Sequence, residues 1–319
     1  MRILRCFQLL LILAVTALGQ AETSAANLLK AGKADEALRT LNATLAQDPK
    51  DAGAYNLLCR VYFQLELWDN AVKMAEKSVS LEPQNSFYHL WLGRAQGRKA
   101  ENANPLAAFG LARKVKSEFE RAVSLDANNL AARTDLSEFY LEAPGFLGGD
   151  KNKARLQADY IAQHDPAMAG YIYARVEEKQ GSGHAEEKFK NAIAAGDNSS
   201  HYWMELAYFY RRNGKLNDME SSVTQALTAP HQNYIPNFDG AFLLLRAGRN
   251  FPGAIQMFRQ YLAQDDPSEE GPVFQAHYLL GVLLEKQGER KDAAIEYQAA
   301  LAIASQYRPA RDALARVSR

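Results

Sequence analysis

The chain has 319 residues, 37 Lys and Arg against 37 Asp and Glu, and is 47% hydrophobic and 23% charged. The zero formal charge gives no bulk attraction to nucleic acid or an anionic membrane, although a neutral total leaves room for a local basic patch. The apolar content excludes a chain that is disordered throughout, and the length fits one or two ordinary domains or one extended array.

In chain order, the first feature is Arg2 and Arg5 ahead of an apolar run over residues 7–18. The run is too short for a comfortable membrane span, and the small residues Ala17, Gly19 and Ala21 follow with the spacing of a signal-peptidase site. Residues 1–20 therefore read as a cleaved secretory signal, with an uncleaved anchor as the alternative. The expected location is periplasmic or secreted, from a bacterial source, with no stable span after cleavage. Cys6 precedes the apolar run, where a lipoprotein cysteine would have to follow it. After cleavage Cys59 is the one cysteine left, so no intramolecular disulfide forms and packing alone must hold the fold.

From residue 32 onward the sequence repeats itself. Gly32-Lys33-Ala34-Asp35-Glu36-Ala37 is followed by Leu41 and Asp48-Pro49, and 34 residues after Pro49 comes Pro83, with Ala71 and Ala75 at the offsets of Ala37 and Leu41. Gly288-Glu289-Arg290-Lys291-Asp292-Ala293 repeats the first pattern, preceded by His277, Leu280, Gly281 and Leu284. Tyr55, Leu58, Cys59 and Tyr62, and again Trp203, Leu206, Ala207 and Tyr210, have the spacing of a first helix. These residues resemble the tetratricopeptide repeat, a helix–turn–helix unit in which small residues allow close helix approach and large ones fill the space between. The resemblance implies an all-α solenoid, a superhelix of about eight units near 18–51, 52–85, 86–129, 130–166, 167–199, 200–233, 234–273 and 274–306, closed by a capping helix over 307–319. One such pair cannot bury its own apolar face, so neighbours stack and terminal units cap the open ends.

In that family the first helix of each unit lines a concave groove. Carried over residue by residue, the groove places hold Asn56, Arg60, Gln64, Arg94 and Arg98 in a polar, basic half, with Arg175 further along. Tyr208, Phe238, Phe242 and Tyr278 make an aromatic half flanked by Arg212 and Arg246. Arginine forks suit carboxylates and aromatics give contact area at low entropy cost, so a protein or peptide partner with acidic and apolar side chains is expected. The competing reading pairs the arginines with Glu138, Glu142 and Glu178 and packs the aromatics between repeats. A lysine/asparagine clamp for chaperone C-termini is not matched, because Arg60 stands where an asparagine is needed.

Chemistry is not expected. None of the six histidines forms an HExxH pair and Cys59 has no CxxC partner, so neither metal nor cofactor is expected. Gly181-Ser182-Gly183-His184 lacks a P-loop lysine and reads as an inter-helix turn. Adjacent carboxylates such as Glu186-Glu187 point apart on a helix and make poor acid/base partners.

Two insertions break the count. About ten extra residues, around Lys99–Arg113, separate the helices of the third unit, and Pro144-Gly145-Phe146-Leu147-Gly148 lengthens the turn of the fourth. Pro144 ends a helix, the glycines permit positive φ, and Asp150 can cap the helix that follows. Phe146 and Leu147 are expected to tuck onto the repeat core, the alternative being a small exposed contact. The Pro144–Asp150 stretch resembles a turn found in degenerate members of the family, among them the periplasmic partner proteins of tripartite (TRAP-type) solute transporters and the eukaryotic regulators of microtubule dynamics. The primary expectation is thus a non-enzymatic exported scaffold, and the second a periplasmic solute-handling or transporter-accessory protein with a ligand cavity. Oligomerisation stays open.

Overall fold

The computed structural model describes residues 23–264 and 266–319; the expected signal, at 1–20, lies outside the described residues. Apart from an isolated bridge between Ser268 and Gly271 and one 3-10 turn, the described secondary structure is α-helical. The helices are α1 (23–30), α2 (Ala34–Gln47), α3 (Ala52–Gln64), α4 (Trp68–Leu81), α5 (Ser86–Glu101), α6 (Pro105–Leu125), α7 (Leu130–Glu142) and α8 (Lys151–Ile161). They continue as α9 (Pro166–Gln180), α10 (Ala185–Ala195), α11 (Ser200–Arg212), α12 (Leu216–Thr228), α13 (Ile235–Ala247), α14 (Phe251–Leu262), α15 (Val273–Lys286), α16 (Arg290–Ile303) and α17 (Arg308–Val317). Among the described residues no helix is long and apolar enough to cross a membrane.

Local sequence sets these boundaries. Several first helices begin behind an Asp or Asn whose side chain accepts a backbone N–H of the first turn: Asp51 from Ala54 at 2.7 Å, Asn129 from Ala132 at 3.0 Å and Asp165 from Met168 at 2.9 Å. From α3 to α15 each odd-numbered helix packs antiparallel on the next, and the small residues control the approach. A Cβ on Gly281 would lie 2.6 Å from the Tyr297 ring, so Gly281 lets α15 and α16 close around a fully buried tyrosine. Cys59 does the same service between α3 and α4 as a wholly buried thiol, and burial pushes its pKa up to about 12.

The two insertions behave differently. Residues 99–113 were expected to form a loop; instead they extend α5 to Glu101 and start α6 at Pro105, with a turn of three residues between them. Asn104 caps α6 by accepting from Ala107 at 3.0 Å, with Pro105 in the first turn where its missing N–H costs nothing. Helix formers replace turn residues over 105–117, which is why the excess becomes helix. The Pro144 stretch does remain a turn: Gly145–Leu147 form one 3-10 turn and Gly148 takes φ +99°. Asp150 caps α8, accepting from Asn152 at 2.9 Å and Lys153 at 3.2 Å. Contrary to the expectation that it tucks inward, Phe146 is 75% exposed, while Leu147 is half-buried.

The ends of the array do not stay open. Leu29, Leu41, Leu58 and Leu65 of the first two units share one apolar core with Phe274, Ala300, Ala304, Tyr307 and Ala310 of the last. Gly32, at φ +66°, lies against the backbone of Pro272 and Val273, close enough that a Cβ there would be 2.6 Å from the Val273 nitrogen. α2 packs on α16, Ser305 N–H donates to Asp35 at 3.0 Å, and Tyr307 OH donates to Glu66 at 3.1 Å. The solenoid therefore closes head to tail into a ring, with a seam between units one and two and unit eight with its capping helix.

Candidate functional site

At the seam the inner faces of the two ends face each other across a cavity of about 1230 Å³. One wall comes from α3 (Arg60, Phe63, Gln64), the turn to α4 (Glu66), the start of α4 (Trp68) and α5 (Phe87, Trp91, Arg94, Arg98). The other comes from α13 (Phe242, Leu245, Arg246) and α15 (Gln275, Tyr278, Leu279, Val282, Lys286), joined by Glu269, Glu270, Pro272 and Tyr307. The basic and aromatic halves of the anticipated groove, distant in sequence, thus become opposite walls of one site.

Most of the arginines here are already committed. Arg60 makes a two-pronged ion pair with Glu269, its Nε donating at 2.9 Å, while its guanidinium lies over Trp91 and Phe87 at 5.3 and 5.7 Å. Arg94 stacks on Trp91 at 5.0 Å and donates to Asp135 at 2.6 and 3.3 Å. Arg98 lies over Trp68 at 5.3 Å and donates to Glu101 at 2.6 Å. Arg246 and Lys286, on the facing wall, form no ion pair among the described residues; they rest on Phe242 and Phe251, each 6.0 Å from the ring centre. The cavity's cations without an ion pair are therefore on α13 and α15, and Glu270, a carboxylate likewise without an ion pair among the described residues, lines the same cavity.

The seam loop ties the walls together. Gln64 donates to the Glu269 carbonyl at 2.9 Å, Gln275 donates to the Gln64 carbonyl at 2.8 Å, and Tyr261 OH donates to the Gly271 carbonyl at 2.5 Å. Two buried polar atoms on the basic wall have no partner among the described residues: the Trp91 indole N–H, a donor, and the Gln64 Oε1, an acceptor. Such groups are costly when left unpaired. Glu66 is pushed upward from its ordinary pKa by burial, against the pull of its Tyr307 hydrogen bond and of Arg98.

The other anticipated groove residues lie elsewhere. Asn56 is 2% exposed and faces the core, and Phe238 is buried edge-on against Phe258 and Tyr261, so neither can touch a ligand. Arg175, 5% exposed, donates to Glu138 at 2.9 Å, Glu142 at 2.6 Å and Glu178 at 2.8 Å, and Arg212 donates twice to Glu178 at 2.9 Å. These arginines staple successive first helices together. Tyr208 is partly buried near Glu205 and Asp239, and burial with those acids raises its pKa. Glu205 is itself raised to about 7 by burial and by Glu138, and Asp239 to about 7 by burial and Glu270. Sequence reasoning missed Phe63, Trp68, Phe87, Trp91, Glu269 and Lys286; Trp68 and Glu269 lie outside the first helices altogether, and no spacing rule points to them.

A family model for the tetratricopeptide repeat matches residues 28–95, and a second matches residues 240–309. No curated protein matches the chain. Among solved structures, a thermophilic TPR protein of Thermus thermophilus is 17% identical, covering 72% of this chain and 99% of its own, with a TM-score of 0.48. A tetratricopeptide repeat protein from Parabacteroides merdae is 13% identical, covering 95% of this chain and 100% of its own at a TM-score of 0.43. YrrB, described as a TPR protein with an unusual peptide-binding site, is 22% identical over 55% of this chain and 84% of its own, at 0.41. Likenesses of this size say nothing about a ligand. With matched repeats at both ends and the same antiparallel helix pairs stacked between them, this is a tetratricopeptide-repeat protein.

Proposed function

We propose that this protein is a non-enzymatic, exported scaffold that takes a short peptide segment of a partner protein into the seam cavity. The observation that carries the reading is the cavity wall: aromatic rings on both sides, and two unpaired cations, Arg246 and Lys286, on one. An acidic side chain or chain terminus meets Arg246 and Lys286, and an apolar anchor sits between Trp68, Trp91 and Tyr278. Arginine–carboxylate forks and aromatic anchors are the contacts that dominate such interfaces. Export rests on the residue 1–20 reading.

The test is a screen of acidic, aromatic-containing peptides by tryptophan fluorescence, followed by titration of the Arg246→Glu/Lys286→Glu variant. Loss of about tenfold or more in affinity, with unchanged helicity, is expected. Reversing Arg60 would be the wrong probe, since it also breaks the seam pair. Binding that ignores Arg246 and Lys286 would sink the reading. Ring closure favours one second reading, a solute-handling protein, because it confines the site to a volume near the ~300–1,000 Å³ of small-molecule pockets. Melting shifts with small anionic aromatic solutes but not with peptides would select it.

A further inference from the structure

Away from the cavity, the two insertions meet. α6 has 21 residues where the other second helices have at most 14, so its first two turns project about 10 Å beyond the level its neighbours reach. From this projection down α6, Leu106, Phe109, Arg113 and Lys116 follow one another at helical spacing along one stripe. The Gly145–Leu147 turn lies against that stripe. Phe146 stacks on Phe109 with ring centres 6.2 Å apart and planes 13° from parallel, and a Cβ on Gly148 would lie 3.0 Å from Lys116 Nζ. Leu106 is 85% exposed and Phe146 75% exposed, and Arg113 stands 4.7 Å from the centre of the Phe109 ring.

Exposed phenylalanine and leucine side chains clustered by two separate insertions are a contact surface and not a packing remnant, because burying them would have required no insertion at all. Its charge is one-sided. Residues 102–117 contain Arg113, Lys114 and Lys116 and no carboxylate. The nearby acids are committed: Glu101 to Arg98, Glu142 to Arg175 and Lys179, Glu120 to Lys116 and Tyr140, and Asp150 to the α8 cap. The surface is also a protruding tip and not a groove. A peptide or helix needs a concave track, whereas a tip with apolar side chains in front and cations beside them fits a flat, negatively charged interface.

We propose that the α5–α6 tip and the Gly145–Leu147 turn form a docking site for an anionic lipid surface, with Leu106, Phe109 and Phe146 entering the headgroup region and the exposed Arg113 and Lys114 facing the lipid charges. The neutral whole-chain charge hides this patch.

The test mixes the full chain with vesicles of phosphatidylcholine and phosphatidylglycerol, or of phosphatidylcholine alone, and reads flotation together with hydrogen exchange. The expected result is slowed exchange over 105–117 and 144–149 with the anionic vesicles, lost in Leu106→Ser/Phe146→Ser. Arg113→Glu/Lys114→Glu is expected to weaken flotation by about tenfold or more. Both pairs are solvent-facing, so the melting temperature should hold and a folding failure would not be mistaken for lost docking. Vesicle binding that both variants retain would assign attachment to residues 7–18 and overturn the proposal. Protection of the patch without lipid, rising with protein concentration, would overturn it in favour of a second copy.

Discussion

Ring closure makes a demand on Gly32 that the equivalent turn glycines escape. Gly32 and Gly248 both sit in the turn between a first and a second helix, at φ +66° and +68°. Replacing either by alanine forces an L side chain into the left-handed region, at about 1–2 kcal/mol. At Gly248 nothing stands within 4 Å of the new Cβ, so that strain is the whole cost. At Gly32 the Cβ arrives 2.6 Å from the Val273 nitrogen and 3.3 Å from the Pro272 carbonyl carbon. These are backbone atoms at the start of α15 and cannot rotate away, so the seam must part by roughly an ångström. Overpacking of this kind costs about 1–3 kcal/mol beyond the strain. Urea denaturation of the two variants therefore gives a difference that isolates the seam, and small-angle scattering should show a larger radius for Gly32→Ala alone. Equal destabilisation of the two variants, with identical scattering, would mean that the ends do not meet in solution.

Two further outcomes follow, one from the seam ion pair and one from a carboxyl away from the cavity. Glu269→Gln keeps the side-chain shape and the Gln64 bond to the main chain but removes the carboxylate facing Arg60. Both side chains are about one-fifth to one-quarter exposed, so a loss of about 1–2 kcal/mol is expected, shrinking as salt is added; a variant as stable as the parent at low salt would remove the pair from the seam's support. Glu205→Gln tests the acid crowding on the inner face. The carboxyl's folded pKa is raised to about 7 from 4.5, so the folded state holds its proton more tightly and the penalty grows as pH rises from 4.5 to 7. The variant should match the parent at pH 4 and be more stable by up to about 3 kcal/mol at pH 8, and a pH-independent difference in urea midpoint would contradict this.

The helical repeat was legible because its determinants are local: Gly281 under Tyr297, Cys59 between α3 and α4 and Gly32 ahead of α2 sit at fixed offsets that one sequence displays. The cavity was legible in halves. Arg60 and Tyr278 were found by their place in the unit, but their being opposite depends on rotations accumulated over every interface between them. Glu269 was invisible as a partner of Arg60 for the same reason: 209 residues separate them. Asn56 and Phe238 were misplaced because both places are enclosed by packing, Phe238 against Phe258 and Tyr261 of its own unit's second helix. Phe146 was misread because its resting place, the Phe109 ring, belongs to a different insertion that sequence register treats as a loop.

The seam changes what kind of object the repeat array is. In a line of stacked units the terminal ones each have one neighbour, and deleting one removes a single interface. Here the first and last units are neighbours too, so taking away either breaks two interfaces and leaves Phe274 and Tyr307, or Leu29 and Leu41, uncovered. Unit number consequently stops being a free variable: one repeat more or fewer would leave Gly32 without Val273 to rest on. The gain or loss of repeats by which such arrays ordinarily diversify is closed to this chain, leaving change to the connections within units, one of which has grown into longer helices and the other into a longer turn.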